Sequence, residues 1–537
     1  MGTQEKLPKY IFITGGVVSG LGKGITAASL GRLLVNRGLR VTIQKLDPYI
    51  NVDAGTMSPY QHGEVFVLDD GAETDLDIGH YERFLGRHFT RDCNSTMGKI
   101  YQSVIAKERR GEYLGKDVQV VPHVTNEIKD TMRSVAKDND IVIVEVGGTV
   151  GEIEGQTFVE AIRQFRKELG RGNSLSIHVT LVPYLAASGA IKTKPTQASV
   201  HSLVHMGISP DIIVCRTSAD IELDIETRAK IADFCNLSDI ANVIHNRDCE
   251  TPYEVPLMLR DQNFDDIVLK KLGMRAPKNA MTEWRAMVRE LKRTKPIKKI
   301  AVVGKYVSTY DSYLSVLEAI NHAAAASAVR AQIQLIDSVE VEEQGAAKLL
   351  AGFDGILVPG GFGNRGVEGK IMAAQYAREN NVPYFGICLG MQIAVIEFAR
   401  NVVGLHGANS TEFDTDGPHP IIHMMSGQKT IEEKGGTMRL GLYPCKLLPE
   451  TRARAAYGKD VVHERHRHRY EFNNKYREQL KSAGMVFSGV NVESDLVEII
   501  ELPAHPYFVA GQFHPEFLSK PYDAHPLFAA WMRAICK

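Results

Sequence analysis

Twice along this chain, short runs of β-branched and aromatic residues alternate with stretches of helical periodicity. No other feature constrains the fold as much. YIFIT (10–14) reads as a strand, a glycine-rich turn follows, and ITAASLGRLLVNRG reads as a helix. VTIQK (41–45), DIVIVEVGG (140–148), LSIHVTLVPY (175–184) and DIIVCR (211–216) repeat the strand pattern, with helical stretches between them. Strands joined by helix-length crossovers predict a parallel sheet covered on both faces. At 275–297 the texture turns polar and basic, with Pro277 and Pro296, and reads as a helical linker. KIAVVGKY (299–306) then opens a second alternating region, whose other clear strands are FDGILVPGG (353–361), VPYFGICLG (382–390) and YFVAGQFHPEF (507–517). At 537 residues the chain is too long for one core. The expected fold class is α/β: a P-loop-type parallel-sheet domain over 1–275, a linker over 276–297 and a second α/β domain over 298–537.

The net charge is −1, with no basic excess to draw the chain to nucleic acid or to an anionic membrane. No apolar run approaches the roughly 20 residues that span a bilayer. MGTQEKLPKYIF has neither a long apolar core nor a cleavage signal, and Lys6 stands where N-myristoylation wants a hydroxyl. The seven cysteines form no CxxC pair, which suits reduced thiols in a cytoplasm better than a disulfide framework or a zinc site.

TGGVVSGLGKGIT (14–26) lies between a predicted strand and a predicted helix. Backbone N–H groups of such a turn, together with a helix N-terminus, cradle phosphates, and a lysine reaches the terminal one. The spacing departs from GxxxxGK[ST]: Val17 stands at the first glycine position, Gly24 follows Lys23, and the nearest hydroxyl is Thr26. A phosphate loop needs Mg²⁺, and Mg²⁺ needs one or two carboxylates. Glu145, at the end of a strand, is placed to serve. Asp69, Asp70, Glu73, Asp75 and Asp77 form an acidic run that by itself reads as a solvated loop. KTKPTQ (192–197) reads locally as a plain surface turn, or as the cations a second phosphate-bearing ligand would need.

GICLG, around Cys388, has the form of a nucleophile elbow. There a thiol is activated by the helix N-terminus and a nearby base. His514 and Glu516 alternate in AGQFHPEF and so point the same way on an extended segment, as a base and its orienting acid. Gly361 in LVPGGFGNRG offers an oxyanion N–H. HERHRHRYEFN (463–473) reads as a solvated charged loop or a minor metal or nucleic-acid patch. Metal is disfavoured because His466 and His468 have no thiol beside them and Zn²⁺ wants four ligands, or three and a water.

Together these stretches resemble the CTP synthase family, nearly end to end. YIFITGGVVSGLGKG, the block KLDPYINVDAGTMSPYQHGEVFVLDDGAETDLDIGHYERF, VEVGGTVGEIE and LVPYLAASGAIKTKPTQ resemble its synthetase (amidoligase) domain. VPGGFGNRGVEGK, FGICLGMQ, ANSTEFD, RHRYEFN and GQFHPEF resemble a class I glutamine amidotransferase domain. The resemblance implies glutamine hydrolysis at one site, internal transfer of ammonia, and ATP-driven amination of UTP to CTP at another. It places ATP on Gly20, Leu21, Gly22, Lys23, Gly24, Ile25 and Asp77, and Mg²⁺ on Asp77 and Glu145. UTP and CTP contacts fall on Ser19, Lys192, Thr193, Lys194, Pro195, Thr196, Gln197 and Lys230, with CTP feedback on Glu152, Ile153 and Glu154. Lys45, and His62 at an ammonia gate, also match. The triad falls on Cys388, His514 and Glu516; glutamine contacts fall on Gly361, Leu389, Gly390, Met391, Gln392, Glu412 and Arg469. GTP activation and a homotetramer that stacks into filaments are implied as well. Two rivals are another P-loop amidotransferase, such as a cobyrinic acid amidase, and a P-loop switch protein with a degenerate glutaminase fold. The TMSPYQHGEVFV block argues against the first and the intact triad against the second.

Overall fold

A computed structural model describes residues 7–424 and 436–537; the first six residues of the N-terminal stretch read above for targeting lie outside them. The chain forms two compact units. One takes the chain up to Ala54 and Asp77–Val288; the other takes Gly55–Leu76 and Arg289–Lys537.

The first unit is built on seven parallel strands in the order Val243–Arg247, Ile212–Thr217, Ser174–Leu181, Lys9–Gly15, Ile141–Val146, Val41–Asp47 and Asn94–Thr96. Helices cover both faces, so the central strands are apolar throughout: Ile11, Phe12 and Ile13 are all fully buried. The two edge strands escaped the sequence reading because Asn94–Thr96 is short and polar and Val243–Arg247 ends in His-Asn-Arg. The basic segment at 275–297 carries a helix, Thr282–Lys292. Its Trp284 is buried against Phe84 and Tyr253, with Nε1 donating to the Tyr253 carbonyl at 2.7 Å.

The second unit has nine strands in the order Arg330–Asp337, Ile297–Gly304, Gly355–Val358, Tyr384–Ile387, Phe508–Gly511, Leu496–Glu501, Val486–Asn491, Arg439–Leu447 and Val461–His468. The first five are parallel and the rest pair antiparallel. Two apolar clusters sandwich the sheet: along one strand Ala301 and Val303 face one cluster while Ile300 and Val302 face the other. The basic cluster read as a loop is a correction: its core is the edge strand Val461–His468. Acids on neighbouring elements neutralise its side chains. Arg465 Nε donates to Asp69 Oδ1 at 2.6 Å and Arg467 Nε to Glu73 Oε1 at 2.8 Å. Part of the acidic run read as solvated is therefore ion-paired with the basic cluster, and Glu73 is buried.

Candidate active sites

The first site opens at the C-terminal end of strand Lys9–Gly15. Residues 16–22 form the turn, and the helix Lys23–Asn36 starts without a side-chain cap, which leaves its first N–H groups available to an anion. Lys23 is not solvated. Its side chain is buried, and Nζ donates to the Gly148 carbonyl at 2.7 Å. Burial pulls its ammonium down, partly offset by Glu145. Gly24, the irregularity in the loop motif, has a steric cause. A methyl group there would lie 2.0 Å from Asp77 Oδ1, so the Asp77 carboxylate occupies the space a serine side chain would need. Thr26, the nearest hydroxyl, is buried and donates to the Gly22 carbonyl at 2.9 Å.

Asp77 and Glu145 converge on Lys45. Lys45 Nζ donates to Asp77 Oδ2 and lies 3.2 Å from Glu145 Oε1. Tyr81 Oη donates to the other Glu145 oxygen. Burial raises Glu145, and Lys45 offsets only part of that; at Asp77 burial also raises, but Lys45 and His80 bring the carboxyl below its ordinary range. Asp47, which sequence reasoning missed, is a third buried acid, 3.9 Å from Lys45 Nζ and bonded by Asn94. Two converging carboxylates beside a phosphate-loop lysine suit a Mg²⁺ that also binds phosphates and water. Among the described residues no group of three or more His, Cys, Asp or Glu side chains stands ready to hold a metal.

Ser19 and Gly20 are exposed on the turn, while Leu21 is buried and Ile25 half-buried. Glu152, Ile153 and Glu154 lie exposed after the turn at Gly148, with Glu152 accepting from the Thr149 N–H at 3.0 Å. Lys192 and Lys194 flank Thr193 at the start of helix Lys194–His205, which carries Pro195 in its first turn. Thr196 turns inward, bonded to Thr180 and the Leu181 carbonyl, and Gln197 bonds Thr193. Lys230 is exposed on a separate helix, Ile225–Phe234.

In the second unit, Cys388 ends strand Tyr384–Ile387 and precedes helix Leu389–Asn401, with φ 53° and ψ −104°. A non-glycine residue there carries strain of about 1–3 kcal/mol, a cost typical of functional elbows. The bend is tight enough that a methyl group at Gly390 would sit 2.0 Å from the Val358 carbonyl oxygen. His514 Nδ1 lies 2.7 Å from Glu516 Oε1. Burial lowers the His514 imidazole, but Glu516 and Cys388 together push it up to about 10. Cys388 Sγ lies 3.8 Å from the Arg467 carbonyl oxygen, and Gln512 Nε2 donates to the same sulfur at 3.8 Å. Leu389 and Met391 bury their side chains in the core, so only their backbone can meet a ligand. Gln392 uses its amide on the Tyr470 carbonyl and on Gln512. Glu412 accepts from the Gly363 N–H at 2.6 Å and is raised by burial; Arg469 donates to Thr437.

A cavity of about 410 Å³ opens onto Cys388, Gly361, Arg469, His514 and Glu516. Its far wall includes Gly55, Thr56, Met57, Pro59 and Glu64, from the segment that precedes Asp77 in sequence but folds with this unit. Glu64 anchors that segment, accepting from the Ser315 N–H at 2.8 Å and from its hydroxyl. The short helix Pro59–His62 lies on it. Sequence reasoning also missed two buried lysines. Lys305 Nζ donates at 2.6 Å to the carbonyls of both Phe362 and Gly363, pinning the loop that holds Gly361, and burial lowers it to about 8. Lys370 Nζ donates to the Pro359 carbonyl at 3.5 Å and is lowered by burial to about 7. Both stand in quoted motifs, VVGKY and VEGK, but a lysine there reads as surface until the fold encloses it.

Residues 9–274 match the sequence family described as CTP synthase N-terminus, and residues 308–534 match glutamine amidotransferase class-I. The chain is 59% identical to the CTP synthase of Caldanaerobacter subterraneus subsp. tengcongensis over 531 residues, covering 98% of each chain. It is 59% identical to that of Carboxydothermus hydrogenoformans over 533 residues, covering 99% of each. Among solved structures, the glutaminase domain of Trypanosoma brucei CTPS with bound acivicin matches with TM-score 0.42 and 43% identity, covering 44% of this chain and 94% of that one.

Proposed function

The chain belongs to the CTP synthase family, and we propose that its two sites share one reaction, glutamine hydrolysis in the second unit supplying the nitrogen used in the first. It is a glutamine-hydrolysing ligase that converts UTP to CTP, with ATP as co-substrate. The observation that carries the division of labour is the strained Cys388 elbow with His514 and Glu516 beside it.

Glutamine enters the Cys388 cavity with its carboxylate on Arg469 and its ammonium on Glu412. His514 holds the thiol proton as an imidazolium, Cys388 attacks the amide carbon, and Glu516 keeps that imidazolium oriented toward the sulfur. The N–H groups of Leu389 and Gly361, with Gly390, Met391 and Gln392 framing the elbow, receive the developing oxyanion. His514 returns the proton to the departing ammonia, and water cleaves the thioester to glutamate. Ammonia released into bulk water at neutral pH is mostly protonated and no longer a nucleophile, so transfer inside the protein preserves it. That Gly55, Thr56, Met57, Pro59 and Glu64 line the Cys388 cavity supports a coupled route; His62, in the same segment, is its gate by resemblance to the family.

In the first unit Gly20, Leu21, Gly22, Lys23, Gly24 and Ile25 hold the ATP phosphates. Asp77 and Glu145 would hold Mg²⁺, which supplies charge neutralisation between the phosphates. A uracil 4-oxygen is a poor leaving group until phosphorylated; ammonia then displaces phosphate at that carbon. Ser19, Lys192, Thr193, Lys194, Pro195, Thr196, Gln197 and Lys230 contact the pyrimidine nucleotide, and Glu152, Ile153 and Glu154 the CTP that inhibits. We assign the synthetase domain to 1–275, the linker to 276–297 and the amidotransferase domain to 298–537. GTP activates, the chain works in the cytoplasm, and it assembles as a homotetramer. No described helix is long and apolar enough to cross a membrane. The test is CTP formation from UTP, ATP, Mg²⁺ and either glutamine or ammonia, with and without GTP. Absence of CTP from both nitrogen sources overturns the reading.

A further inference from the structure

The edge strand Val461–His468 buries two imidazoles, His466 and His468, and His468 Nδ1 lies 3.5 Å from Glu471 Oε1, three residues on. The fold supplies two acids, Glu471 from strand Tyr470–Phe472 and Glu498 from strand Leu496–Glu501, both fully buried. Arg439 ties them together. Its Nη2 donates to Glu498 Oε1 at 2.7 Å and its Nη1 to Glu471 Oε1 at 3.3 Å. The remaining groups that face this cluster are Tyr443, edge-on to His466, Cys445 in the field of Glu498, and His514 from the catalytic side.

The proton positions follow by elimination. His468 Nδ1 lies 3.1 Å from the Tyr470 carbonyl oxygen, which can only accept, so Nδ1 carries a hydrogen. His468 Nε2 lies 2.9 Å from His466 Nδ1. With His468 neutral, its Nε2 accepts, His466 donates from Nδ1, and His466 Nε2 is left as a bare lone pair. That atom faces Glu498 Oε2 at 3.5 Å, and neither has a hydrogen-bond partner among the described residues. A proton on Glu498 Oε2 gives both a partner. Moving the proton to Glu471, whose carboxyl burial raises to about 8, would leave the bare His466 Nε2 against an ionised Glu498, and the remaining arrangement with the same number of protons charges His468 and ionises Glu498. It adds two buried charges, which desolvation opposes. Burial, reinforced by Arg439, holds both imidazoles well below their ordinary range, and burial raises Glu498 against the pull of Arg439. A metal does not fit, because each imidazole directs a ring nitrogen at the other.

We propose that Glu498 is held as a neutral carboxylic acid whose proton, directed at His466 Nε2, locks His466 and His468 in single tautomers and makes Glu498 a positioning residue for glutamine hydrolysis. The chain of bonds ends on the Tyr470 carbonyl. That oxygen also accepts from Gln392 Nε2 at 3.0 Å; Gln392 donates to Gln512, and Gln512 donates to Cys388 Sγ. The same strand presents the Arg465 carbonyl to the His514 N–H at 2.8 Å and the Arg467 carbonyl to Cys388 Sγ. A flipped tautomer at His468 would turn a lone pair onto the Tyr470 carbonyl and push this frame off the nucleophile.

The functional half of the proposal rests on Cys388 being the glutaminase nucleophile; the protonation half does not. The test compares E498Q and E498L with wild type by glutaminase kcat and KM on both sides of neutral pH. Ammonia-dependent CTP formation is the control for folding, and the infrared carboxylic-acid C=O band is the direct readout. E498Q is expected to keep kcat and KM within about twofold, because an amide offers the donor and acceptor of a protonated carboxyl. It is also expected to lack any alkaline loss of rate due to ionisation at this position. E498L leaves His466 Nε2 and Arg439 unsatisfied, so kcat should fall by roughly tenfold or more with KM little changed. The wild-type spectrum should contain a buried carboxylic-acid band that E498Q lacks. The proposal is overturned if E498Q loses as much activity as E498L, if E498L keeps the wild-type rate, or if the band is missing. Should E498L not fold, E498Q and the spectrum still decide. Wild type without glutaminase activity would sink the nucleophile reading alone and leave the spectral test standing.

Discussion

Replacing Glu516 by Gln isolates what the acid of the triad contributes, because the side chain keeps its shape and loses its charge. His514 stands at about 10 against an ordinary 6.5. At 1.36 kcal/mol per tenfold that rise represents about 5 kcal/mol of extra stabilisation of the imidazolium. Burial opposes it; Glu516 is the largest favourable cause and Cys388 the next. Its loss removes the largest favourable part of that stabilisation, on the order of tenfold or more, wherever the imidazolium forms in the reaction. A second effect adds to this. Glu516 Oε2 has no hydrogen-bond partner among the described residues, so a glutamine amide has no acceptor on that side. It either buries an orphan NH₂ or turns that NH₂ toward His514 Nδ1, which fixes the tautomer whose Nε2 already carries a hydrogen and cannot take the thiol proton. Glutaminase kcat should therefore fall by roughly 10² to 10⁴, with KM for glutamine little changed, since Arg469 and Glu412 are untouched. The assay is glutamate release under saturating nucleotides, with ammonia-dependent CTP formation run beside it. A folded E516Q enzyme whose glutaminase kcat stays within tenfold of wild type would refute the assignment.

C388A should make no CTP from glutamine yet make it from ammonium salt at near the wild-type ammonia rate; glutamine-dependent synthesis retained by this variant would end the thiol reading. K23A should lower CTP formation from either nitrogen source by roughly 10² or more, and circular dichroism should show a folded protein in which only the Gly148 carbonyl has lost its donor. E154K should weaken inhibition by CTP more than it weakens UTP turnover, as measured by CTP titration of initial rates; equal loss of both would argue against a distinct feedback pocket. Lys370 is lowered by burial from 10.5 to about 7, so its contribution to stability is present above 10.5 and is lost as pH falls toward 7. K370M should therefore raise the thermal midpoint of glutaminase inactivation most at or below pH 7, and the gain should shrink as pH rises toward 10.5.

What the sequence made legible divides along a physical line. Parallel strands buried on both faces announce themselves as apolar runs, so Lys9–Gly15, Ile141–Val146 and Tyr384–Ile387 were all readable. So was the elbow, because GICLG, AGQFHPEF and LVPGGFGNRG place a thiol, a base with its acid and an oxyanion glycine on strand ends of one domain. Charged segments behave differently, since their partners lie far away in sequence. DDGAETD and HERHRHR each read as solvated loops, because neither stretch contains the partners that neutralise Asp69, Glu73, Arg465 and Arg467. Only the fold brings Asp69 to Arg465 and Glu73 to Arg467, across nearly four hundred residues of chain. The same blindness hid Lys305 and Lys370, which look like surface lysines until the loop around Gly361 closes over them. It also hid Glu498, the acid that faces His466. Gly24 shows the reverse case: the phosphate-loop motif looked defective there, and the missing side chain is the space that admits Asp77. A departure from a motif at one residue is thus explained by a second residue that the motif does not contain. That pairing can be checked directly, because G24S should displace the Asp77 carboxylate and D77N, which keeps the bulk, should not relieve the clash.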